Sequence, residues 1–245
     1  MQTELSELSE LRKQLLDAAC APYRPVGIAH YQWARGKLGF DPIFDAILTQ
    51  ALIPDDARVL DLGCGRGFLA SWVLSAERLH AQGQWPLQVA PPQRMRFQGV
   101  ELVASEVRAG NRALQPLFGD RVSLLAGDMR EAEIPAVEVV AMLDVLHYVP
   151  YADQDRLLDR IRSSLTGGGV FITRVGDAQA GMRFRISQYV DRFASFMQGH
   201  RSGRMWCRPL SQWVQALEAR GFEVQSVPMS EGTPFANVML VSRVP

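Results

Sequence analysis

Leucines recur at helical spacing near the N-terminus. They are Leu5, Leu8, Leu11, Leu15 and Leu16, with charged residues between them. This spacing puts an apolar stripe on one face of a helix, which we place at 4–19. The proline-containing stretch 21–25 ends that helix, a second helical stretch runs through 30–35, and a third runs from Asp41-Pro42, a cap followed by proline, to Leu52.

The pattern then changes to short apolar segments that alternate with helical ones. The predicted strands cover 58–62, 97–101, 122–125, 137–143 and 170–174. The predicted helices cover 68–79, 103–115 and 152–165, the last ended by the glycines of 167–169. The stretch 81–96, rich in Gln and Pro, is predicted to be a loop. Near-continuous apolar strands that alternate with helices indicate a parallel sheet covered on both faces.

The C-terminal part departs from this alternation. Helices are predicted at 183–199 and 211–220, and two strands, 222–227 and 238–242, follow with no helix between them. Two strands joined by a loop favour an antiparallel pair. The sequence therefore predicts an α/β fold, a doubly wound, Rossmann-like sheet of seven strands whose last strand is antiparallel, with a helical cover at the N-terminus.

Composition and charge exclude several classes of protein. The chain has 245 residues, of which 47% are hydrophobic, so it can bury a substantial core. Lys+Arg and Asp+Glu both number 26, a balance that argues against nucleic acid as a partner. The three cysteines are widely spaced and indicate neither disulfides nor a metal site. The acidic N-terminus is unlike a signal peptide and no apolar run reaches roughly 18 residues, so we expect a cytoplasmic protein without a membrane span.

The segment 59–67 gives the clearest indication of a ligand-binding site. An apolar strand ends there in Gly63, Gly65 and Gly67, and a helix opens at Phe68. Glycines let a ligand approach the backbone, and the helix N-terminus offers free N–H groups. A dinucleotide site would need a small residue where Phe68 stands, so the turn argues against a dinucleotide-dependent oxidoreductase.

The same segment, Val-Leu-Asp-Leu-Gly-Cys-Gly-Arg-Gly, resembles motif I of class I methyltransferases that use S-adenosylmethionine (SAM). The resemblance extends over about 40–245, because acidic residues follow the next strands in the order typical of this family. It implies that SAM is the cofactor and that its contacts come from Asp61, Gly63, Cys64, Gly65, Gly67, Glu101, Leu102, Asp128, Met129, Asp144 and Val145. Cys64 is also interpretable as a small buried filler, and Asp144 as a helix cap.

One spacing departs from the family pattern. Glu101, the residue expected to accept from the ribose hydroxyls, lies 34 positions after Gly67 instead of roughly 20. The loop 81–96 accounts for the excess if it is an insertion. If it is not, the ribose contact of Glu101 is in doubt.

The resemblance also implies that the N-terminal and C-terminal parts of the chain have different roles. Residues 1–52 would form a cover that closes over SAM, with Tyr31 and Arg35 near the cofactor and Trp33 near the acceptor. Residues 53–245 would form the SAM-binding core, with an acceptor-side insertion at about 176–210. The alternative for 30–37 is an ordinary helix with a solvated basic face, and the first amphipathic helix is a candidate interface for a homodimer.

Candidate residues for binding the acceptor follow the fourth predicted strand. His147 is the best candidate for a general base, and His147 and Tyr148 are also expected to line the acceptor site. A base is optional, because the methyl group of SAM is already electrophilic and positioning alone supplies on the order of 7–11 kcal/mol. The alternative is that His147 is simply part of the pocket wall, where this family often carries a histidine.

The segment 183–208 is rich in arginine and aromatic residues. Its arginines are Arg183, Arg185, Arg192, Arg201, Arg204 and Arg208. The ordinary interpretation is a solvated face, and the sharper one is that Arg183 and its neighbours bind an anionic, aromatic or carrier-linked acceptor, with an acyl carrier protein as partner. Residues 34–38 with 41–42 resemble bacterial methyltransferases of aryl polyene and xanthomonadin-type pigment pathways. A SAM-binding protein without catalysis is the rival function.

Overall fold

The computed structural model describes residues 2–176, 205–229 and 237–245. The chain divides into two compact units, Met1–Ala132 and Glu133–Pro245. The predicted helix 183–199 lies outside the described residues.

The first unit contains five helices and three strands among its described residues. The helices are α1 Gln2–Cys20, α2 Ile28–Phe40, α3 Pro42–Thr49, α4 Phe68–Ala81 and α5 Ala104–Phe118, with short 3-10 helices at Ala21–Val26 and Gly119–Arg121. The strands are β1 Arg58–Leu62, β2 Arg96–Glu101 and β3 Val122–Ala126. They are parallel in the order β3-β2-β1. The carboxyl end of β1 therefore lies beside that of β2, with Leu62 paired to Val100.

The second unit contains two described helices and four strands. They are β4 Val137–Leu143, α6 Tyr151–Ser164, β5 Leu165–Gly176, α7 Leu210–Glu218, β6 Glu223–Pro228 and β7 Asn237–Arg243, with a 3-10 helix at Leu146–Tyr148. β4 and β5 are parallel, and β7 runs antiparallel between β5 and β6. The chain thus has the predicted seven-stranded mixed sheet with an antiparallel last strand.

Local sequence explains how several of these elements begin. Asp41 has extended backbone angles and its side chain accepts a hydrogen bond from the Ile43 N–H at 3.2 Å, so it caps α3 as expected. Pro42 follows at the first helical position, where its missing N–H has no partner to lose. The Gln- and Pro-rich stretch contains no helix or strand between Gln82 and Met95, which agrees with the predicted loop.

The N-terminal helices pack on α4, the helix that follows β1. The Ser71 hydroxyl of α4 donates to the Ala19 carbonyl of α1 at 2.7 Å. Phe44 of α3 packs against the fully buried Trp72 of α4, with ring centroids 6.3 Å apart. Burying one such large side chain stabilises the fold by roughly 1.5–3 kcal/mol. Residues 1–52 therefore belong to the same compact unit as β1–β3, and their role as a cover stays a prediction.

One predicted boundary was wrong. The glycines of 167–169 do not end α6, because the helix stops at Ser164 and β5 begins at Leu165. The glycines lie inside β5, where the pairing with β4 shifts register between Val137 and Val139. A side chain on Gly169 would meet the Thr166 carbonyl oxygen at 2.8 Å, so a glycine is needed for this irregularity and not for a helix stop.

Candidate cofactor site

The glycine-rich turn after β1 is held by backbone bonds to β2. Gly63, Gly65 and Gly67 have φ angles of 80°, 55° and 75°, a region that side chains disfavour. The Gly63 and Cys64 N–H groups both donate to the Val100 carbonyl, at 2.8 and 3.2 Å. Gly67 ends the turn as the residue before α4. The turn is therefore fixed while its outer side stays accessible to a ligand.

Gly65 and Gly67 need to be glycine for different reasons. A Cβ on Gly67 would lie 2.8 Å from Leu114 Cδ1, so this glycine lets α4 and α5 approach each other. A Cβ on Gly65 would meet no described atom within 4 Å. Open space next to a glycine with φ of 55° is what a ligand-facing turn requires.

Two carboxylates lie at this turn. Glu101 accepts from the Gly65 N–H at 3.1 Å through Oε2, and from the Val103 N–H at 2.9 Å through Oε1. Asp61 is only 6% exposed, and its side chain makes no hydrogen bond or ion pair within the described part of the chain. Burial, and then the neighbouring charge of Glu101, raise the pKa of Asp61 to about 7. The site therefore favours a cation.

The structure brings Leu102, Asp128 and Met129 to the same end of the parallel strands. The Gly127 N–H donates to the Glu101 carbonyl at 3.0 Å, which places Asp128 directly after this bond. Leu102 is 62% exposed and provides an apolar surface at this edge of the sheet. The Asp128 carboxylate accepts from the Arg130 N–H at 2.9 Å and pairs with the Arg130 guanidinium, which lowers its pKa.

Cys64 fits the filler interpretation. Its sulfur is buried and lies so close to Gly99 that a Cβ there would be 2.5 Å from Sγ. Burial raises the pKa of the thiol well above its usual value, and the nearby acids Asp61 and Glu101 raise it further. A thiol in these surroundings is not activated as a nucleophile.

The predicted residues of α2 have defined partners. The Tyr31 hydroxyl accepts from Arg24 at 2.8 Å and from Arg35 at 3.3 Å, and Arg35 also pairs with Asp17. The Arg66 guanidinium lies 5.8 Å from the Trp33 ring, and it forms an ion pair with Glu106. The proposed contact of Arg35 with the SAM carboxylate therefore competes with an existing ion pair, and it stays a prediction.

A tyrosine that the sequence did not single out joins these helices to the glycine turn. Tyr23 is fully buried and its hydroxyl donates to the Arg66 carbonyl at 3.0 Å. Its ring packs on Phe68, the first residue of α4, at 5.2 Å. Phe68, which argued against a dinucleotide site, thus forms part of the packing between the N-terminal helices and the turn.

In the second unit, Asp144 follows β4 in a left-handed conformation, with φ of 62°. Its carboxylate binds the guanidinium of Arg174, with Arg174 Nε 2.6 Å from Oδ1. Arg174 is 4% exposed and lies opposite Leu143 in the parallel pairing of β4 and β5. Asp144 is thus fixed by a buried arginine that the sequence did not indicate, and Val145 follows it immediately. Whether either contacts SAM stays a prediction.

His147 and Tyr148 lie in the 3-10 helix after β4. Their rings are 4.2 Å apart, and His147 Nε2 is buried without a hydrogen-bond partner in the described residues. Burial lowers the pKa of His147 to about 4, although the charge of Asp144 acts in the opposite direction. The imidazole is therefore neutral at pH 7, and it is a weak base.

A buried glutamine fixes the chain on both sides of His147. Gln154 Nε2 donates to the carbonyls of Leu146, Val149 and Trp206 at 3.1, 2.9 and 2.8 Å, and its Oε1 accepts from Arg208 at 2.8 Å. The Trp206 N–H donates to the His147 carbonyl at 2.8 Å. Arg208 also pairs with Asp155, so it is not part of a free basic surface. Arg183 and the rest of the arginine-rich segment up to Arg204 lie outside the described residues.

The described residues contain neither a membrane-spanning helix nor a metal-binding cluster. No helix there is long and apolar enough to cross a membrane, and no group of His, Cys, Asp or Glu there is arranged to hold a metal ion.

The fold is that of known methyltransferases. Magnesium protoporphyrin IX methyltransferase from Synechocystis PCC 6803, solved with bound S-adenosylhomocysteine, matches with a TM-score of 0.59 and 14% identity over 97% of this chain and 99% of that one. The pyocyanin biosynthetic protein PhzM matches with a TM-score of 0.60 and 18% identity, over 89% and 58%. The [4+2]-cyclase SpnF matches equally well, at 0.60 and 18%, over 88% and 82%. The fold therefore does not by itself determine the reaction.

A family model described as a methyltransferase domain matches residues 37–227. The chain therefore belongs to this methyltransferase domain family, which confirms the predicted class and its cofactor, SAM.

The chain also resembles curated proteins that are named for a SAM derivative. Carboxy-S-adenosyl-L-methionine synthase of Actinobacillus succinogenes is 28% identical over 141 residues, and that of Actinobacillus pleuropneumoniae is 29% identical. These matches cover 56% of this chain and 53% of each relative, so the chain spans about half the length of the curated relatives it matches.

Proposed function

We propose that this protein transfers the methyl group of SAM to a small organic acceptor. The observation that carries the proposal is the buried Asp61 carboxylate, which has no partner in the described residues and lies near Glu101 at an open glycine turn. An uncompensated buried anion destabilises a fold unless a cation binds to it. SAM carries an ammonium and a sulfonium group, so it matches this requirement, and the curated relatives are named for a SAM derivative.

The residues of the first unit divide the binding of SAM among them. The backbone at Gly63, Gly65 and Gly67 allows close approach, and Asp61 supplies the negative charge. Both Glu101 oxygens are held by backbone N–H groups but keep lone pairs, which suits the two ribose hydroxyls. The exposed face of Leu102 offers an apolar surface for the adenine ring. Asp128 and the Met129 N–H would bind the polar edge of adenine. The Asp128 carboxylate would then contact both adenine and Arg130.

The chain has little chemistry to perform after binding. SAM supplies a methyl group that is already electrophilic, so the protein mainly has to align an acceptor. A general base contributes most when its pKa lies near the operating pH, and that of His147 is about 4. We therefore propose that His147 is a neutral part of the wall on the acceptor side and does not act as the base.

A matched pair of glycine variants tests the cofactor site. Gly65 and Gly83 have φ of 55° and 69°, and a Cβ on either would meet no described atom within 4 Å. Alanine should therefore destabilise both variants by a similar amount, roughly 1–2 kcal/mol, through backbone strain. Only Gly65→Ala should also weaken SAM binding, by roughly tenfold or more in calorimetry, a loss of about 1.4 kcal/mol.

Three outcomes would contradict the proposal. Equal SAM affinity in Gly65→Ala and Gly83→Ala would remove the turn from the cofactor site. Tight binding of NADH without binding of SAM would favour the dinucleotide-dependent oxidoreductase. SAM binding without release of S-adenosylhomocysteine, across a panel of phenols, aryl acids and their carrier-linked forms, would favour the non-catalytic SAM-binding protein.

The acceptor is proposed to be aromatic and anionic, or linked to an acyl carrier protein. The arginines and aromatic residues of 183–208 support this choice, as does the resemblance of 34–42 to pigment-pathway methyltransferases. The anchoring of Trp206 to His147 keeps the end of that segment next to the candidate acceptor residue. Glutamate at Arg183, Arg185 and Arg204 should raise the acceptor KM while leaving SAM affinity unchanged. An unchanged KM with full activity would refute this acceptor class.

A further inference from the structure

The first unit contains a pocket that the proposed methyl transfer does not use. It has a volume of about 450 Å³, within the range of roughly 300–1,000 Å³ of small-molecule sites. Its walls come from the end of α1, the 3-10 helix Ala21–Val26, the second half of α4 and the second half of α5. The pocket therefore lies among helices of one compact unit.

The pocket is separate from the glycine turn. Ser75, the lining residue of α4 nearest to the turn, comes eight residues after Gly67, and Gln82, the last one, comes fifteen after it. At a rise of 1.5 Å per residue these positions lie about 12 and 22 Å along the helix from the turn. The lining includes none of the turn residues, so a ligand in this pocket would be a second ligand beside the cofactor.

The chemistry of the lining combines two cations with apolar walls. Arg78 of α4 and Arg112 of α5 both line the pocket. Neither guanidinium forms an ion pair or a hydrogen bond with a described residue. The apolar surface comes from Pro22, Pro25, Leu79, Pro116 and Leu117. Leu117 is 40% exposed, which leaves part of this surface in contact with water.

A serine with a buried hydroxyl also contributes to the pocket lining. Ser75 is 1% exposed and lines the pocket, and its Oγ has no hydrogen-bond partner in the described residues. Buried polar groups in native proteins are nearly always paired, because an unpaired one is destabilising. The polar recognition of an occupant rests on the two arginines, which stand on two different helices of the lining and favour an anionic head group.

We propose that this pocket binds a small amphipathic carboxylic acid, whose carboxylate pairs with Arg78 and Arg112 and whose apolar tail lies against the proline-rich wall. Arginine forms paired hydrogen bonds to a carboxylate, which gives such a head group a geometric preference over a neutral one. The assignment does not depend on methyl transfer, because none of the pocket residues belongs to the candidate cofactor site.

Octanoate and octan-1-ol, which share a tail and differ in charge, are the probes for a titration followed by calorimetry. The wild-type protein should bind octanoate more tightly than octanol. Arg78→Gln and Arg112→Gln should each weaken octanoate binding by roughly 5- to 10-fold and leave octanol binding unchanged. Arg108→Gln is the matched control, since Arg108 is an exposed arginine one turn earlier on α5 that does not line the pocket.

A second variant tests the position of the tail. Ala21 is exposed at the rim, so Ala21→Trp should fill the pocket without disturbing the core and should weaken both probes. Absence of octanoate binding at millimolar concentration would overturn the proposal. Equal affinity for octanoate and octanol would do so too, as would an effect of Arg108→Gln as large as that of Arg112→Gln. SAM affinity, measured on the same variants, should not change.

Discussion

Replacement of Asp61 by asparagine should stabilise the ligand-free protein and weaken its binding of SAM. Burial raises the folded-state pKa of Asp61 from 3.8 to about 7. A difference of about three pH units corresponds to ~4 kcal/mol by which the ionised carboxylate destabilises the folded state above pH 7. A buried amide without a partner is itself unfavourable by ~1–3 kcal/mol. We therefore expect Asp61→Asn to raise the free energy of unfolding by about 2 kcal/mol at pH 8.

The sign of this effect depends on pH in a defined way. As the pH falls from 7 towards 3.8, the folded protein takes up a proton on Asp61 before the unfolded chain does, so the wild-type protein gains stability. The advantage of Asp61→Asn should therefore shrink over this range, vanish at about pH 5–5.5 and reverse towards pH 4, where only the amide penalty remains. Urea unfolding of both proteins from pH 4 to 8 measures it as a difference, in which contributions from other groups cancel.

The pH dependence of SAM affinity tests the same role of Asp61. A cation that binds next to Asp61 favours the ionised carboxylate, so wild-type SAM affinity should rise with pH between 6 and 8. Asp61→Asn should bind SAM roughly tenfold less tightly at pH 8, and its affinity should vary less with pH. The control is Asp120→Asn, because Asp120 is exposed and its pairing with Arg96 lowers its pKa, so this variant should not be stabilised. Unchanged or lower stability of Asp61→Asn at pH 8 would refute the reasoning.

Three further predictions concern the packing around the site. Gln154→Leu should lower the free energy of unfolding by about 2–4 kcal/mol in urea, because two buried carbonyls and one part-buried carbonyl lose their shared donor. Ser163→Ala on the exposed face of α6 should change it by less than about 0.5 kcal/mol, and equal losses would contradict this. Gly67→Ala should be destabilised by about 1–3 kcal/mol in thermal melts through strain and the contact with Leu114, and a smaller loss than in Gly65→Ala would be inconsistent with that contact. His147 should contribute stability that is lost as the pH falls from 6.5 towards 4, since its folded-state pKa is depressed; His147→Gln should therefore be affected less by acid than the wild type, and identical acid profiles would exclude this burial effect.

These two titrations oppose each other. Between pH 6.5 and 4, protonation of Asp61 adds stability while the depressed pKa of His147 removes it. A flat wild-type profile over this range would therefore not show that both groups titrate normally. The single variants are needed to separate the two contributions.

Much of the fold was accessible from sequence because its signals are local. Apolar strands and amphipathic helices have different periods, so the order of elements from α1 to β7 could be read within windows of a few residues wherever the structure describes them. The bounds of β4, at Val137–Leu143, agree with the prediction. The end of α6 was misplaced because a glycine run serves either as a helix stop or as a strand irregularity, and pairing with β4 decides between them.

The candidate site could be predicted from the sequence only in part. The glycine turn and the acids Glu101 and Asp128 could be recognised because a strand end followed by glycine or acid is a contiguous pattern. Arg174, which binds Asp144, could not be found in this way, since the two residues are 30 positions apart and meet only because β4 and β5 pair. The same holds for Gln154 and Arg208, which are 54 positions apart.

The sequence by itself determined the class of fold, the turn that faces the cofactor, and which residue types follow each strand. These depend on periodicity and on the conformational freedom of glycine, which are properties of neighbouring residues. Only the tertiary structure decided that Asp61 is buried without a described partner, that His147 is neutral, and that Arg78 and Arg112 share a pocket with Ser75. Burial and charge depend on what the fold places around a residue, and those neighbours come from distant parts of the chain.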